Sequence, residues 1–306
     1  ADARAPSAGG EDDLSELYAL RPPSRARGPA PPRLETLTLD GCEFGAAGLG
    51  PALVGMWGGL KALTVSNCGL SGKLPSDVLG CGALASLDLS GNGLEGPMPP
   101  ELLELTALTS LNLSENAFSG PLPSLSALRL LRSLKLYSNE FSGPLPDLGL
   151  LPSLHSADLS FCRFAGPLRL PAPSPQGPSN LRHLNVSYNI LSGPPSAPPQ
   201  SLSNLIILDV SNNDLDLRRF PWSTAQSSPT LRLLDVRGNR YPLSVDPNPG
   251  ACKVPRRKKK DGQRVMSFTT GRGEKASDVN ASQLKRQTSV LVLNDDVDWQ
   301  CRDELR

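Results

Sequence analysis

The sequence contains few of the residues that carry most metal and acid–base chemistry. Its 306 residues include only two histidines, His155 and His183. Neither histidine has a cysteine or carboxylate at a metal-ligand spacing, and no C-x-x-C, HExxH or nucleophile-elbow motif is present. The sequence therefore predicts a protein that is not an enzyme and that has neither a metal nor a cofactor site.

Excess charge and long apolar runs are also missing. The chain has 31 basic and 30 acidic side chains, so its bulk charge predicts no nucleic-acid partner. No apolar stretch reaches about 18 residues, so we expect membrane attachment only through segments outside this sequence. The chain begins at Ala1 with neither an initiator methionine nor a signal peptide, which predicts a mature or excised segment.

Leucine, by contrast, recurs at a regular spacing. The pattern L-x-x-L-x-L-x-x-N-x-L occurs nine times, and its copies start at Leu34, Leu60, Leu84, Leu108, Leu131, Leu154, Leu181, Leu205 and Leu231. This pattern is the leucine-rich-repeat signature. One copy can bury its leucines only against neighbouring copies, so the nine copies predict a stacked solenoid over residues 34–243.

Side chains within each copy are predicted to alternate between the interior and solvent. Positions 4 and 6 of the pattern, such as Leu111 and Leu113, point into the core, whereas positions 3, 5 and 7 face solvent. Position 9 is predicted to bond backbone groups of the turn that leaves the strand, so that stacked copies form an internal ladder. This position holds Asn92, Asn116, Asn139, Asn189, Asn213 and Asn239, and it is cysteine at Cys42, Cys68 and Cys162.

After position 9, most copies continue as L-x-G-x-L-P, for example LSGKLP (70–75) and FSGPLP (118–123 and 141–146). This tail resembles the plant-type extracellular leucine-rich repeats of receptor kinases, receptor-like proteins and polygalacturonase inhibitors. The resemblance implies an α/β solenoid with a parallel β-sheet on its concave face, a second short strand per repeat, and short 3₁₀ or helical turns on its convex face. Repeats 8 and 9 lack the tail, so the second sheet is expected to stop near Pro195.

The two ends differ from the repeats. Residues 1–33 are predicted to form a proline-rich extended segment, with a short helix at 11–20. Residues 244–306 are predicted to form a C-terminal cap, with a basic polar insertion at 256–287 and a final strand within 289–301. The family resemblance implies a disulfide between Cys252 and Cys301, which is a common arrangement of the C-terminal cap.

The remaining cysteines leave two pairings open. Cys42 and Cys68 occupy equivalent positions on neighbouring copies, within the distance that a disulfide requires. The alternative pairing joins Cys68 to Cys81, and Cys162 is predicted to be a free buried thiol.

Three N-glycosylation sequons favour a secretory route and an extracellular or cell-surface location. They lie at Asn112, Asn185 and Asn280. Asn112 and Asn185 occupy position 5, so their side chains are predicted to face solvent while the flanking leucines face the core.

Most predicted concave positions hold small polar residues, and repeats 5 to 7 contain the exceptions. Exposed aromatic side chains beside charged ones are typical of protein-binding anchors. The predicted partner-binding residues are Lys135, Tyr137, Asp158, Phe161, His183 and Tyr188. The alternative for Phe161 and Tyr188 is packing along the margin of the sheet.

Two further patterns allow more than one interpretation. Asp209 and Asp235 share position 5 on adjacent copies, a spacing that suits glycoside hydrolysis or calcium binding. The sequence LDVS around Asp209 closely resembles LDLS around Asp88 and ADLS around Asp158, so it is ordinary for these repeats and favours a structural role. A basic run predicts either a solvated loop or a site for acidic polysaccharide, and it consists of Arg256, Arg257, Lys258, Lys259 and Lys260.

Together these patterns predict a non-catalytic recognition module that binds a protein, peptide or glycan as a receptor ectodomain or secreted binder. One alternative is a structural subunit of a larger assembly. Another is an inhibitor of a cell-wall polysaccharide hydrolase, although that family begins with a cysteine-bearing cap and no cysteine precedes Cys42 here.

Overall fold

The structure is a computed structural model that describes residues 2–4, 34–42, 59–74, 81–171, 180–196, 202–217, 220, 225, 228–240, 265–266 and 291–293. The chain divides into two compact units, Ala1–Ala157 (unit 1) and Asp158–Arg306 (unit 2). Short parallel strands make up most of the regular structure that is described in both units.

Unit 1 contains two parallel sheets. Its strands are β1 (Asp2–Arg4), β2 (Thr36–Asp40), β3 (Ala62–Ser66), β4 (Ser71–Lys73), β5 (Ser86–Asp88), β6 (Gly93–Gly96), β7 (Ser110–Asn112), β8 (Ala117–Pro121), β9 (Ser133–Lys135) and β10 (Glu140–Gly143). The main sheet has the order β1-β2-β3-β5-β7-β9, and the second sheet has the order β4-β6-β8-β10. In the last three repeats of the unit, the chain returns from the second sheet to the main sheet through a 3₁₀ helix. These helices lie at Pro100–Glu104, Leu125–Ala127 and Leu148–Leu150.

Unit 2 repeats the same arrangement. Strand β11 (Ser156–Asp158) lies across the division of the chain, and it is followed by β12 (Arg163–Gly166), β13 (His183–Asn185), β14 (Ile190–Gly193), β15 (Ile207–Asp209), β16 (Asp214–Leu215), β17 (Leu233–Asp235), β18 (Val265–Met266) and β19 (Leu291–Leu293). The main sheet of this unit has the order β13-β15-β17-β19-β18, and its second sheet has the order β12-β14-β16.

Each of the nine predicted repeats contains a strand that begins at its third position, which confirms the leucine-rich-repeat solenoid fold. Neighbouring strands pair in register, so that Leu111 lies opposite Leu134 and Ser110 opposite Ser133. Leu111 and Leu113 are fully buried, whereas Ser110 and Asn112 are partly exposed. The predicted alternation between core and solvent is therefore present.

The ninth-position asparagines form the predicted ladder by bonding to two repeats at once. The Asn116 Nδ2 donates to Leu89 O of the preceding repeat at 2.9 Å, and to Leu113 O and Ser114 O of its own repeat at 3.2 and 3.1 Å. Its Oδ1 accepts from the Leu94 N–H at 3.0 Å. The same pattern occurs at Asn92, Asn139, Asn189, Asn213 and Asn239. Each ladder residue thus satisfies buried backbone groups that the turn leaves unpaired.

The second sheet continues further than the sequence predicted, so the expected stop near Pro195 is wrong. Strand β16 pairs with β14, and the Asp216 N–H donates to Gly193 O at 2.9 Å. This pairing uses only backbone groups and does not require the L-x-G-x-L-P tail. The Asn239 Oδ1 holds the strand in place by accepting from the Leu215 N–H at 3.1 Å.

Strands from outside the repeats extend the main sheet of each unit. Strand β1 pairs in parallel with β2, a contact that the sequence did not predict. Strand β19 pairs in parallel with β17, which confirms the final strand predicted within 289–301. Strand β18 pairs antiparallel with β19 and lies within the predicted polar insertion. The predicted helix at 11–20 lies outside the described residues, and the three segment boundaries stay predictions.

Candidate functional site

On the exposed face of the main sheet in unit 1, the side chain at position 5 forms a hydrogen-bonded turn with position 7 at the end of its strand. The Asn112 Oδ1 accepts from the Ser114 hydroxyl at 2.6 Å and from its N–H at 3.2 Å. The Asn112 Nδ2 donates to the Asp88 Oδ2 at 2.9 Å. Position 5 thus caps the end of its own strand and also bonds to the neighbouring strand.

The same turn occurs in unit 2. The Asn185 Oδ1 accepts from the Ser187 hydroxyl at 2.7 Å, and its Nδ2 donates to the Asp158 Oδ2 at 3.4 Å. Asp158, predicted as a partner-binding residue, also accepts from the Ser160 hydroxyl at 2.6 Å. Its carboxylate is therefore already engaged by the turn and by Asn185.

Position 8 of every repeat adopts a left-handed backbone conformation, with φ between +51° and +69°. This turn directs the N–H of position 8 to the position-7 carbonyl of the next repeat, as in Phe161 N to Ser187 O at 3.0 Å. Glycine and asparagine tolerate this conformation well, but bulky side chains rarely adopt it. The residues at this position are Gly41, Asn67, Gly91, Glu115, Ser138, Phe161, Tyr188, Asn212 and Gly238.

Two bulky residues at this position form the most distinctive feature of unit 2. The rings of Phe161 and Tyr188 stack with their centroids 4.2 Å apart and their planes 10° from parallel. Phe161 is 52% exposed and Tyr188 is 48% exposed. The structure therefore brings together these two members of the predicted site on the solvent side of adjacent repeats.

An exposed isoleucine follows this pair along the chain. Ile190, two residues after Tyr188 at the start of β14, is 60% exposed, and sequence reasoning missed it. The buried Asn189 lies between them in sequence. The signal was available, because position 10 is the second residue after a left-handed turn and holds a large apolar side chain in this repeat alone. We call the three large exposed hydrophobic side chains described in unit 2, Phe161, Tyr188 and Ile190, the rim cluster; the contact that the structure shows within it is the one between the two rings.

The rim cluster offers both apolar surface and a hydrogen-bond donor. The Tyr188 hydroxyl has no hydrogen-bond partner among the described residues. The two stacked rings are about half exposed, so part of their aromatic surface is open to solvent, and the edges of such rings carry partial positive charge. Such a surface suits an apolar side chain accompanied by a hydrogen-bond acceptor.

Of the other predicted site residues, Lys135 and Tyr137 belong to unit 1, and Asp158 and His183 belong to unit 2. Lys135 is exposed on β9 and Tyr137 donates to the Glu115 Oε1 at 2.9 Å, and all three residues belong to unit 1. His183 lies on β13 of unit 2, where burial and then the nearby Arg182 lower the pKa of its imidazole.

The carboxylates of Asp209 and Asp235 lie on paired strands, but their surroundings favour a structural role. Asp235 is only 1% exposed, and Arg237 binds it with Nη2 2.6 Å from Oδ2 and Nε 3.0 Å from Oδ1. Burial and then the charge of Asp235 raise the pKa of Asp209. No group of three or more metal-ligating side chains occurs among the described residues.

Neither of the two pairings that the sequence left open, Cys42 with Cys68 or Cys68 with Cys81, is formed, because all three residues are free thiols in the structure. Cys68 instead takes over part of the ladder role. Its thiol donates to Ser66 O at 3.1 Å and to Leu39 O at 3.6 Å, as a ladder asparagine does. Burial raises the pKa of this thiol to about 11. Cys162 is a free buried thiol, as predicted.

Several predictions fall on residues that the structure does not describe. These are the Cys252–Cys301 disulfide, the sequon at Asn280 and the basic run at 256–260, and all of them stay predictions. Nothing in the comparisons below supports a polysaccharide ligand for the basic run. Within the described residues, no helix is long and apolar enough to cross a membrane.

The sequence profile of the family described as Leucine Rich Repeat matches residues 83–105, 107–128 and 180–202. A search of curated protein sequences finds no match.

Solved structures similar to the chain include two plant receptors and one other plant protein. The Arabidopsis receptor kinase HAESA, in complex with the peptide hormone IDA and the co-receptor SERK1, is 29% identical with a TM-score of 0.56, over 68% of this chain and 34% of that chain. The plant peptide hormone receptor RGFR1 in complex with RGF2 is 25% identical with a TM-score of 0.52, over 63% of this chain and 34% of that chain.

The third similar structure is a plant ice-binding protein that is 27% identical with a TM-score of 0.56, over 68% of this chain and 66% of that chain. The chain spans 34% of the length of each of the two receptor structures. Since one fold thus occurs in proteins described as binding peptides and ice, the fold alone does not select a ligand.

Proposed function

Since the chain is a leucine-rich-repeat protein with plant-type repeats, we propose that it is a non-catalytic recognition module for a protein or peptide. The rim cluster of unit 2 is the contact site in this proposal. The similar receptor structures support a peptide-type partner, because they contain bound peptide hormones. The location that follows is extracellular or at the cell surface, as a receptor ectodomain or a secreted binder.

The observation that supports this proposal is the conformational free energy that Phe161 and Tyr188 lose by adopting a left-handed backbone. A left-handed conformation costs a bulky residue about 1–2 kcal/mol. The two residues together therefore cost about 2–4 kcal/mol, whereas the stacking of their rings returns only about 0.5–1.5 kcal/mol, so the pair does not stabilise the fold. Half-exposed rings at strained positions are better explained by contact with a partner than by packing along the sheet margin.

The rim cluster also sets the chemistry of the partner. Large aromatic side chains that stay half exposed act as anchors, because a partner can remove their apolar surface from water. The Tyr188 hydroxyl, which has no hydrogen-bond partner within the part of the chain that the structure describes, then orients the partner by donating to a carbonyl or carboxylate. We therefore expect a peptide with at least one large apolar side chain beside a backbone or side-chain acceptor.

A phage-displayed library of 12-residue peptides, selected on the immobilised unglycosylated chain, tests the proposal. The test variant carries Phe161→Asn and Tyr188→Asn, because Asn212 already occupies the same left-handed position. We expect selected peptides to bind this variant at least tenfold more weakly than the parent chain. Its midpoint of urea unfolding should equal or slightly exceed that of the parent, since relief of backbone strain at two residues offsets the lost stacking.

The matched control removes two exposed apolar side chains from unit 1 through Leu130→Asn and Leu150→Asn. Peptides that recognise the rim cluster should bind this control as tightly as the parent chain. The proposal is wrong if no peptide is enriched, or if both double variants bind the enriched peptides equally well.

A further inference from the structure

The two asparagines at position 5 differ from the ladder asparagines in how they use their amide nitrogens. Each ladder Nδ2 donates to three backbone carbonyls, as at Asn189, so both of its N–H groups are engaged. The Nδ2 of Asn112 donates only to Asp88, and that of Asn185 only to Asp158, among the described residues. One N–H of each position-5 amide is therefore available for substitution without loss of a hydrogen bond.

Both asparagines also begin N-x-S sequons, and both are partly exposed. We propose that Asn112 and Asn185 carry N-linked oligosaccharides, and that the oligosaccharide on Asn185 restricts access to the rim cluster. The second half of this inference rests on the proposed function, whereas the first half does not.

The folded structure sets when the oligosaccharides can be attached. Ser114 and Leu113 are fully buried, and Ser187 is 3% exposed, so a modifying enzyme cannot reach the sequon of the finished strand. Attachment to the unfolded chain joins Nδ2 to the anomeric carbon of a polyprenyl-pyrophosphate-linked oligosaccharide. The bond from that carbon to the pyrophosphate breaks, and Nδ2 loses one proton.

The modified residues then fit the folded structure. A substituted amide keeps one N–H, which is sufficient for the bond to Asp88 or Asp158. Its Oδ1 still accepts from the serine hydroxyl and N–H two residues later, as the Asn185 Oδ1 does at 2.7 and 3.0 Å. The same turn forms at Asp88 with Ser90, which shows that position 5 needs the acceptor oxygen and not the second N–H.

The position of Asn185 explains why its oligosaccharide would restrict binding. Asn185 is three residues before Tyr188, and three residues span at most about 11 Å. A branched oligosaccharide exceeds that length, so it can reach the rim cluster from the partly exposed Asn185 side chain. Asn112 belongs to unit 1 and provides a comparison site that has the same turn and no rim cluster.

Expression of the full chain in a secretory eukaryotic host tests the first half. Mass spectrometry of glycopeptides, with and without peptide N-glycosidase, should find sugar on both residues, and Asn112→Asp and Asn185→Asp should each remove one glycan. The bacterially produced, folded chain should stay unmodified when it is incubated with microsomes that glycosylate a denatured control. Absence of sugar on Asn185 in the secreted chain would overturn the inference.

The second half is tested with the peptides that the library experiment selects. The glycosylated chain should bind them at least tenfold more weakly than the unglycosylated chain, and both Asn185→Asp and Ser187→Ala should restore binding. Asn112→Asp should not restore it. Equal binding by the glycosylated and unglycosylated chains would refute the restriction. If the unglycosylated chain bound no peptide, the proposed function would fail while the occupancy result stood by itself.

Discussion

Repeat 4, which starts at Leu108 in unit 1, and repeat 7, which starts at Leu181 in unit 2, share one internal frame. The ladder residue of each donates to the same three carbonyl positions, through Asn116 and Asn189. The position-5 turn is also the same, with serine hydroxyls 2.6 and 2.7 Å from the asparagine oxygens.

The two repeats differ where the chain leaves the main sheet. Positions 8 and 10 are Glu115 and Ala117 in repeat 4, but Tyr188 and Ile190 in repeat 7. Glu115 accepts a hydrogen bond from a tyrosine, whereas Tyr188 stacks on a ring and keeps its hydroxyl unpartnered among the described residues. The buried positions therefore determine the fold of the repeat, whereas positions 8 and 10 can change without altering that fold and are available for binding.

The largest effect should come from breaking the shared frame. Asn116→Ala and Asn189→Ala each leave several buried backbone groups without a partner, at a cost of about 1–3 kcal/mol per group. We expect each variant to lose about 3 kcal/mol or more of unfolding free energy in urea titrations. Asn212→Gly, at a partly exposed left-handed position, is the control and should change stability by only a few tenths of a kcal/mol. Unequal losses at Asn116 and Asn189 would show that the two frames are not equivalent.

A smaller effect on stability, but a large one on binding, should follow from exchanging the rims. The double variant Tyr188→Glu with Ile190→Ala gives repeat 7 the rim of repeat 4. We expect the free energy of unfolding to change by no more than about 1.5 kcal/mol, since mainly the ring stacking is lost. Affinity for the selected peptides should fall at least tenfold, which corresponds to about 1.4 kcal/mol. Unchanged affinity in a calorimetric titration would remove the rim cluster from the binding site.

The smallest effect concerns the charge at position 5, where repeat 8 has Asp209 and repeat 7 has Asn185. Burial and the charge of Asp235 raise the pKa of Asp209, so the folded chain binds more protons than the unfolded chain between the two pKa values. Stability contributed by Asp209 is therefore present below its ordinary pKa and is lost as pH rises through the raised one.

Asp209→Asn removes this loss of stability at higher pH. It also keeps an oxygen that accepts from the Ser211 N–H, a hydrogen bond that is 2.9 Å long in the parent chain. The variant should be slightly more stable than the parent at pH 7, and the difference should shrink as the pH falls below the ordinary range of a carboxyl group. Urea titrations at both pH values check this expectation. A variant that is less stable at pH 7 would contradict the direction of the pKa shift.

Much of the frame could be predicted from the sequence, because a strand has a period of two residues and each repeat restates the pattern. That period located Leu111 and Leu113 in the core and Asn112 at the surface, and the recurring position 9 indicated the ladder. The candidate site was predicted less completely. Phe161 and Tyr188 were identified, but their stacking, their left-handed backbone and the exposure of Ile190 were not.

These omissions have one physical cause. Periodicity determines which way a side chain points within its own repeat, but not which groups it meets on the next one. The free thiol of Cys68 shows the same limit, because backbone carbonyls at 3.1 and 3.6 Å accept from it where the spacing suggested a disulfide.

The sequence by itself determined the number of repeats, the inward leucines and the asparagine ladder, since these follow from local geometry repeated nine times. Only the tertiary structure decided that β1 and β19 extend the main sheets, that position 8 turns left-handed, and that two aromatic rings meet at 4.2 Å. The reason is that contacts between repeats depend on how far stacked strands lie apart and which backbone groups remain unpaired. A linear pattern does not contain those distances.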